Sequence, residues 1–326
     1  MKTIGLIDVD GHNWPNLALM RISAWHKAQG DTVEWYQGPM ITPWYDIVYA
    51  SKVFSNDYTP DIDTSRMINA GEIRKGGTGY CISLGSDGKE HLDESKNKSL
   101  PDEVERMFPD YSIYPDGRFA VAMTSRGCPN NCGFCHVTQK EGCASVMVAS
   151  VSDFWTTDLG LDEIQVLDAN ITACRDKRVL FRQYRETGAL IEFNQGLDIR
   201  RIDEADIEDI NAMRIKNIHF AWDRTDLDLT KRFEFYKERT TKKPNGGYGT
   251  VYVLTNYDDC TVDEHVKRAL WRISTLTDMG YDPFLMVYDK PHAPRILLNM
   301  QRWCNNKWIF KKCKRFEDYK PRKGSG

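Results

Sequence analysis

The chain reads as an α/β protein: a small parallel, Rossmann-like unit over residues 1–115, then six βα units over residues 116–304 whose sheet is either doubly wound or a partial (β/α)6 barrel. Two patterns predict it. β-branched and apolar runs alternate with segments of helical periodicity, once near the N-terminus and then six times in series from Phe119 onward. Successive βα units place their strands in parallel with right-handed crossovers, which closes either a doubly wound or a barrel-like sheet.

Taken in order, Thr3–Asp8 is a strand and Asp10-Gly11-His12-Asn13 a turn. Leu17–Gln29 carries Leu17, Met20, Ala24 and Ala28 at helical spacing, with Gly30 where a helix-ending glycine belongs. Thr32–Tyr36 and Asp46–Ala50 supply two more strands. Gly76-Gly77-Thr78-Gly79 has the look of a phosphate-cradling loop but reads better as a plain turn. Ser86–Ser99 is polar and predicts a surface loop, and Leu100-Pro101-Asp102-Glu103 opens a short helix. In the second part, strands are expected at Phe119–Thr124, Glu163–Leu167, Leu190–Asn194, Asn217–Ala221, Thr250–Leu254 and Phe284–Tyr288. Helices fit near Ser152–Thr157, Arg175–Thr187, Glu204–Met213, Leu229–Thr240, Asp263–Met279 and Pro294–Cys304. Residues 305–323 form a basic aromatic tail, and Gly324-Ser325-Gly326 reads as a cloning remnant.

Composition narrows the function classes. Of 326 residues, 41% are hydrophobic and 28% charged, which is enough to build a core and argues against global disorder. No apolar run approaches the ~20 residues of a membrane span, so no membrane association is expected. Met1–Ile7 lacks the basic and apolar regions of a secretion signal, so a cytoplasmic location is expected. The net charge of −3 gives no global pull toward polyanions. Nine cysteines, odd in number and unevenly spaced, do not suggest a disulfide framework.

Three of them fall within eight residues: Cys128, Cys132 and Cys135, in Thr124-Ser125-Arg126-Gly127-Cys128-Pro129-Asn130-Asn131-Cys132-Gly133-Phe134-Cys135. A structural zinc site wants four closed ligands, and bacterial ferredoxins use Cys-x2-Cys-x2-Cys, so Cys-x3-Cys-x2-Cys suits neither. Three thiolates on a four-iron cluster would leave one iron open to a ligand. Loops at the C-terminal ends of parallel strands are where such proteins bind ligands.

This segment resembles the radical S-adenosylmethionine (radical SAM) enzymes, whose signature Cys-x3-Cys-x-aromatic-Cys is met by Phe134. The resemblance spans roughly Phe119–Cys304. Arg126–Cys132 and Pro15-Asn16-Leu17-Ala18-Leu19 are similar to members with a cobalamin-binding-like N-terminal domain. Lys140-Glu141-Gly142 and Asn194-Gln195-Gly196-Leu197-Asp198-Ile199-Arg200 resemble a bacterial and phage-associated branch. The resemblance implies a [4Fe-4S] cluster on Cys128, Cys132 and Cys135, with S-adenosyl-L-methionine chelating the fourth iron. Reductive cleavage would then yield a 5′-deoxyadenosyl radical for hydrogen abstraction. It implies a reductant partner such as flavodoxin or ferredoxin. Gly127 and Gly133 would let backbone approach the cluster, and Pro129 would stiffen the loop.

The remaining cofactor candidates follow the strands. Asp168 and Asn170 could meet the methionyl amine or simply cap. Asn194 and Gln195 lie beside Arg200, which could fork onto the methionyl carboxylate, with Arg201 as alternative. Asp223 could accept from ribose hydroxyls or serve as a helix N-cap. Asn256 and Tyr288 are weaker choices for lining a pocket. His136 reads as packed rather than ligating, and Cys143 as buried and inert. Cys304 and Cys313 are too sparse for a second cluster.

The N-terminal domain lacks the Asp-x-His-x-x-Gly of histidine-on cobalamin proteins, since His12 stands in Asp8-Val9-Asp10-Gly11-His12. Cobalamin is therefore the less favoured option, although binding without that histidine is known among relatives. Gln301–Lys323 carries nine Lys/Arg against two Asp/Glu, interleaved with Trp303, Trp308, Phe310, Phe316 and Tyr319. Such a segment can grip nucleic acid, but aromatics packed on the barrel with solvated lysines is the preferred reading. The alternatives to the leading function are a cobalamin-dependent methyltransferase, a transfer-RNA-modifying enzyme, a non-catalytic iron–sulfur electron carrier and a zinc-dependent nucleic-acid-binding module.

Overall fold

The computed structural model describes residues 1–38, 43–56, 58–87 and 89–321. The terminal Gly324-Ser325-Gly326 lies outside them. The chain divides into two compact units, Met1–Ala144 with Val148–Gln165, and Ser145–Met147 with Val166–Gly326.

The first unit opens with β1 (Thr3–Asp8), α1 (Leu17–Ala28), β2 (Thr32–Trp35), β3 (Tyr45–Ser51) and β4 (Ala70–Gly76). These strands make a four-stranded sheet in the order β2-β1-β3-β4, with every neighbouring pair parallel. α1 starts where Asn16 accepts from Leu19 N at 3.2 Å, and the Asn16 amide also donates to Ser51 Oγ at 2.9 Å, tying the helix start to the end of β3. β4 was not expected. Its sequence, Ala-Gly-Glu-Ile-Arg-Lys-Gly, is mostly exposed and charged, as suits an edge strand, and carries little apolar signal. Tyr45, Val48 and Met67 form a core cluster under this sheet, with Ile7, Tyr36, Ile62 and Ile73 packed against it.

Gly77, with φ of 102°, enters a turn over Thr78–Tyr80. Added Cβ atoms at Gly77 and Gly79 would strike the backbone of Lys52 and Phe54, so close chain packing explains these glycines without a phosphate. Within the expected loop Ser86–Ser99, β6 (Glu90–Leu92) pairs antiparallel with β5 (Ile82–Leu84). The short α2 (Asp102–Glu105) follows. β7 (Ala120–Ala122) is fully buried, and β8 (Ser125–Arg126) leads into the cysteine loop and α3 (Val137–Glu141). The helix expected at Ser152–Thr157 is two 3₁₀ turns, Val151–Asp153 and Thr157–Leu159, the second ended by left-handed Gly160.

Next come β9 (Val146–Met147), β10 (Glu163–Val166), α4 (Lys177–Thr187), β11 (Leu190–Leu197), α5 (Glu204–Ala212), β12 (Arg214–Ala221) and α6 (Thr230–Arg239). β13 (Thr250–Thr255), α7 (Val262–Met279), β14 (Asp282–Val287), α8 (Arg295–Asn305) and α9 (Lys307–Lys312) complete the chain. The six-stranded sheet runs β14-β13-β12-β11-β10-β7, with the pairs from β11 to β14 all in parallel register. Sequence and structure agree on a mixed α/β protein with parallel sheets. Helix ends follow local chemistry. α4 stops at left-handed Gly188, α5 starts in an Asp203/Asp206 capping box, and α7 runs from Thr261, which accepts from Glu264 N, to left-handed Gly280. One face of β11–β14 is fully buried through Ile191, Phe193, Ile218, Phe220, Val251, Val253 and Leu285. Phe220 meets Phe233, Tyr236 and Tyr281 at ring distances of 5.0–6.2 Å. Truncating such a ring costs roughly 3–5 kcal/mol.

Candidate functional site

The cysteine loop is held by the residues on either side of it. Gly127 has φ of 88°, and a Cβ there would collide with Ala144 O, so only glycine serves. Its amide donates to Glu141 Oε2 at 3.1 Å, and Cys128 N donates to Gly142 O at 3.1 Å. Thr138 Oγ1 donates to Cys128 O at 3.2 Å. Lys140-Glu141-Gly142 is thus the clasp of the loop: Glu141 and Gly142 close it, and the Lys140 ammonium reaches Thr78 Oγ1. Within the loop, Asn131 is left-handed (φ 41°) and Cys135 N donates to Cys132 O at 2.9 Å, making a turn across the last two cysteines. Ahead of it, Arg126 and Arg21 converge on Glu105, Arg21 at 2.6 Å. Burial holds the Arg21 guanidinium below its ordinary pKa while Glu105 opposes that shift.

Cys128 and Cys132 are half-buried and Cys135 is exposed. Among the described residues, no three His, Cys, Asp or Glu side chains stand together as a ligand set. The donor chemistry suits an iron–sulfur cluster: three thiols within eight residues, on a loop whose backbone is fixed at both ends. Phe134 is half-buried. His136 Nδ1 stands 3.2 Å from Gln139 Oε1, while its buried Nε2, 3.7 Å from Glu90 Oε2, has no hydrogen-bond partner among the described residues. Cys143 departs from expectation: it follows left-handed Gly142 and is exposed, not buried.

In the second unit, Asp168 and Asn170 are buried just after β10. Asn170 accepts from Ala173 N at 3.2 Å and from Thr172 Oγ1 at 2.9 Å, which is the capping role weighed from sequence. Asn194, Gln195 and Gly196 lie in a bulge of β11. Phe193 pairs with Ile218 and Leu197 with Phe220, so three residues oppose His219 alone. Gln195 is exposed. Arg200 forks onto Asp198 with both N···O distances at 2.7 Å, so a ligand carboxylate would have to compete with that pair. Arg201 approaches the same carboxylate at 3.6 Å.

Asp223 follows β12 and accepts from Leu254 N at 3.1 Å. It does not cap a helix, since α6 begins after Leu229. Desolvation pushes its carboxyl up to about 6, against the pull of nearby Arg272. Sequence reasoning missed Arg272. It is almost fully buried and donates to Trp222 O at 2.6 Å, Leu254 O at 2.9 Å and Asp223 O at 3.3 Å, stitching the ends of β12 and β13. Burial lowers its pKa to about 10. The available signal was an arginine on the apolar stripe of α7 with Ala269, Ile273 and Leu276. Asn256 is left-handed and donates to Tyr288 O at 2.9 Å, so these two weaker candidates form a turn contact.

Cys304 is buried, with its thiol pushed up to about 12 by burial, and Cys313 donates to Arg315 O at 3.1 Å. In the tail, Trp303 is buried, with Phe310 edge-on at 4.9 Å and Phe316 tilted at 5.5 Å, whereas Trp308 is 78% exposed. Among the described residues, no helix is long and apolar enough to cross a membrane. Compared with known proteins, the chain matches no family model and no curated protein.

Proposed function

We propose that this chain is a radical SAM enzyme that holds a [4Fe-4S] cluster on Cys128, Cys132 and Cys135 and acts on a substrate by hydrogen abstraction. The observation that carries the reading is the Cys-x3-Cys-x-Phe-Cys loop, three thiols clasped by Gly127, Glu141 and Gly142. When bound, the cluster and S-adenosylmethionine supply one-electron cleavage of the sulfonium and a hydrogen-abstracting radical. The chain's own residues bind and orient. Three thiolates hold iron and leave one iron site for the cofactor. Asp168 offers an acceptor for an amine beside the turn that Asn170 caps, and Asp223, largely ionised at neutral pH, an acceptor for ribose hydroxyls. Arg200 meets a ligand carboxylate by exchanging it for Asp198. A flavodoxin- or ferredoxin-like protein supplies the electron.

Anaerobic reconstitution tests this. About four irons and four sulfides per chain are expected, with loss of the cluster in Cys128→Ala, Cys132→Ala and Cys135→Ala. Dithionite with S-adenosylmethionine should release 5′-deoxyadenosine from the wild type alone. A colourless protein with stoichiometric zinc, or full iron retention in Cys132→Ala, overturns the proposal.

A further inference from the structure

The run Asp198-Ile199-Arg200-Arg201-Ile202-Asp203 buries both of its isoleucines, and the tight turn over Ile199–Arg201 leaves the arginines between them on the outside. Arg178 from α4 and Arg232 from α6 join them in lining one open cavity of about 660 Å³, with Phe235 and the first residues of α5 beside them. All four cations of this lining are arginines. The carboxylates within reach are already engaged. Asp198 is forked by Arg200, Asp203 and Asp209 hold Arg178, Asp206 holds Lys177 at 2.7 Å, and Glu204 holds Arg239 at 3.1 Å. Two charges are left in surplus. Exposed Arg201 stands 3.6 Å from the Asp198 carboxylate that Arg200 already grips. Half-buried Arg232 donates to backbone: its Nε and Nη2 reach Ile199 O at 3.2 and 3.1 Å, and Nη2 also reaches Ile202 O. Its guanidinium lies over the Phe235 ring at 5.3 Å, and among the described residues no carboxylate pairs with it. Carbonyl acceptors fix a guanidinium in place without neutralising its charge.

We infer that this cavity binds a phosphate monoester, the terminal phosphate of a small hydroxylated molecule, between Arg201 and Arg232. Gathering guanidiniums in one place sets like charges against one another, a cost that an anion relieves. The two surplus charges match a phosphate dianion, whereas a single carboxylate would leave one of them unmatched. A planar guanidinium fork meets two phosphate oxygens at once, which an ammonium cannot do, and this gives a reason for a lining made of arginine alone. Because Ile199 O and Ile202 O hold Arg232 beforehand, little ordering is left to the binding step. The surroundings select a monoester over a nucleic-acid backbone. Asp203 and Glu204 are exposed on the α5 side of the cavity and would repel the adjoining phosphates of a polymer, while they can accept from the hydroxyls of a small ligand. The site uses residues of the second unit alone and does not depend on what the cysteine loop binds.

The full chain with isotope-labelled arginine, titrated with glycerol phosphate and followed by NMR, tests the site. The Nε–H signals of Arg201 and Arg232 should shift saturably in the millimolar range, and glycerol alone should leave them unmoved. Arg201→Gln, a change at an exposed side chain, should weaken binding about tenfold or more, the scale of one charge-assisted hydrogen bond. Asp203→Asn keeps a residue that caps the start of α5 and should tighten binding several-fold by removing a like charge. Neutralising Lys311 and Lys312 in the tail should change nothing. Absence of saturable shifts, equal affinity in Arg201→Gln, or an equal loss on neutralising the tail lysines overturns the site. Two competitors separate the other occupants. A short oligothymidylate without terminal phosphates that displaces glycerol phosphate shows a track for a polymer. L-Methionine that displaces it shows that the cavity receives the carboxylate of the proposed cofactor. Either displacement overturns the assignment to a phosphate monoester.

Discussion

Replacing Asp223 with asparagine should abolish a pH-dependent cost that the wild type carries. The carboxyl is raised from 3.8 to about 6, chiefly by desolvation. Between those two values the folded chain keeps a proton that the unfolded chain releases. The stabilising share of this group is therefore complete below pH 4 and is lost as pH rises through about 6. Each pKa unit is worth 1.36 kcal/mol, so the total is on the order of 3 kcal/mol, with roughly 2 kcal/mol falling between pH 4 and 8. Asparagine stays neutral, and its Oδ1 can still accept from Leu254 N. In urea unfolding followed by circular dichroism, the stability of wild type relative to Asp223→Asn should fall by about 2 kcal/mol from pH 4 to pH 8. Taking the difference cancels the opposite contribution of carboxylates such as Asp61 and Asp203, whose pKa values are lowered. A difference that is flat with pH, or that rises, refutes the reasoning, because it would mean that the Asp223 carboxylate is not held against burial.

Arg272→Met leaves Trp222 O and Leu254 O without their donor and should cost roughly 3 kcal/mol in urea unfolding. It should also move Asp223 protonation, followed by carboxyl NMR, above about 6, since Arg272 is the chief cation opposing that shift. Gly127→Ala combines a φ of 88° with a collision at Ala144 O. It should cost about 2 kcal/mol and lower iron bound per chain after reconstitution; iron content equal to wild type would count against the clasp. For the tail, titrations of transfer RNA and single-stranded DNA should give weak binding, because Trp303, Phe310 and Phe316 are occupied with one another. Tight, steeply salt-dependent binding that disappears when Lys311, Lys312, Lys314 and Arg315 are neutralised refutes that packing argument.

What was legible in the sequence was what one-dimensional periodicity carries. The strands from β10 onward and helices α4 to α8 follow runs whose apolar spacing announces them. β4 was hidden because an edge strand of glycine and charge has no apolar alternation to read. The pair β5 and β6 hid inside a polar stretch for the same reason. At the site, the cysteines and Asp223 were visible as residue types at strand ends. Arg272 was not, because its partners are carbonyls on two other elements, and backbone acceptors leave no trace in composition. The clasp formed by Glu141 and Gly142 was visible as a motif, but its task of bonding Gly127 N and Cys128 N needed coordinates.

The second unit places its costs at strand ends. Asp168 is buried, Asp223 is held protonated into the weakly acid range, Arg272 loses basicity, and Thr255 Oγ1 is buried without a hydrogen-bond partner. Unpartnered buried hydroxyls and desolvated charges each cost on the order of 1–3 kcal/mol. On the buried face, Ile191, Ile218, Val251 and Leu285 show that the same strands bury aliphatic side chains without difficulty. Stability alone therefore gives no reason for strand ends set with charge, whereas a ligand that needs acceptors at the strand ends gives one.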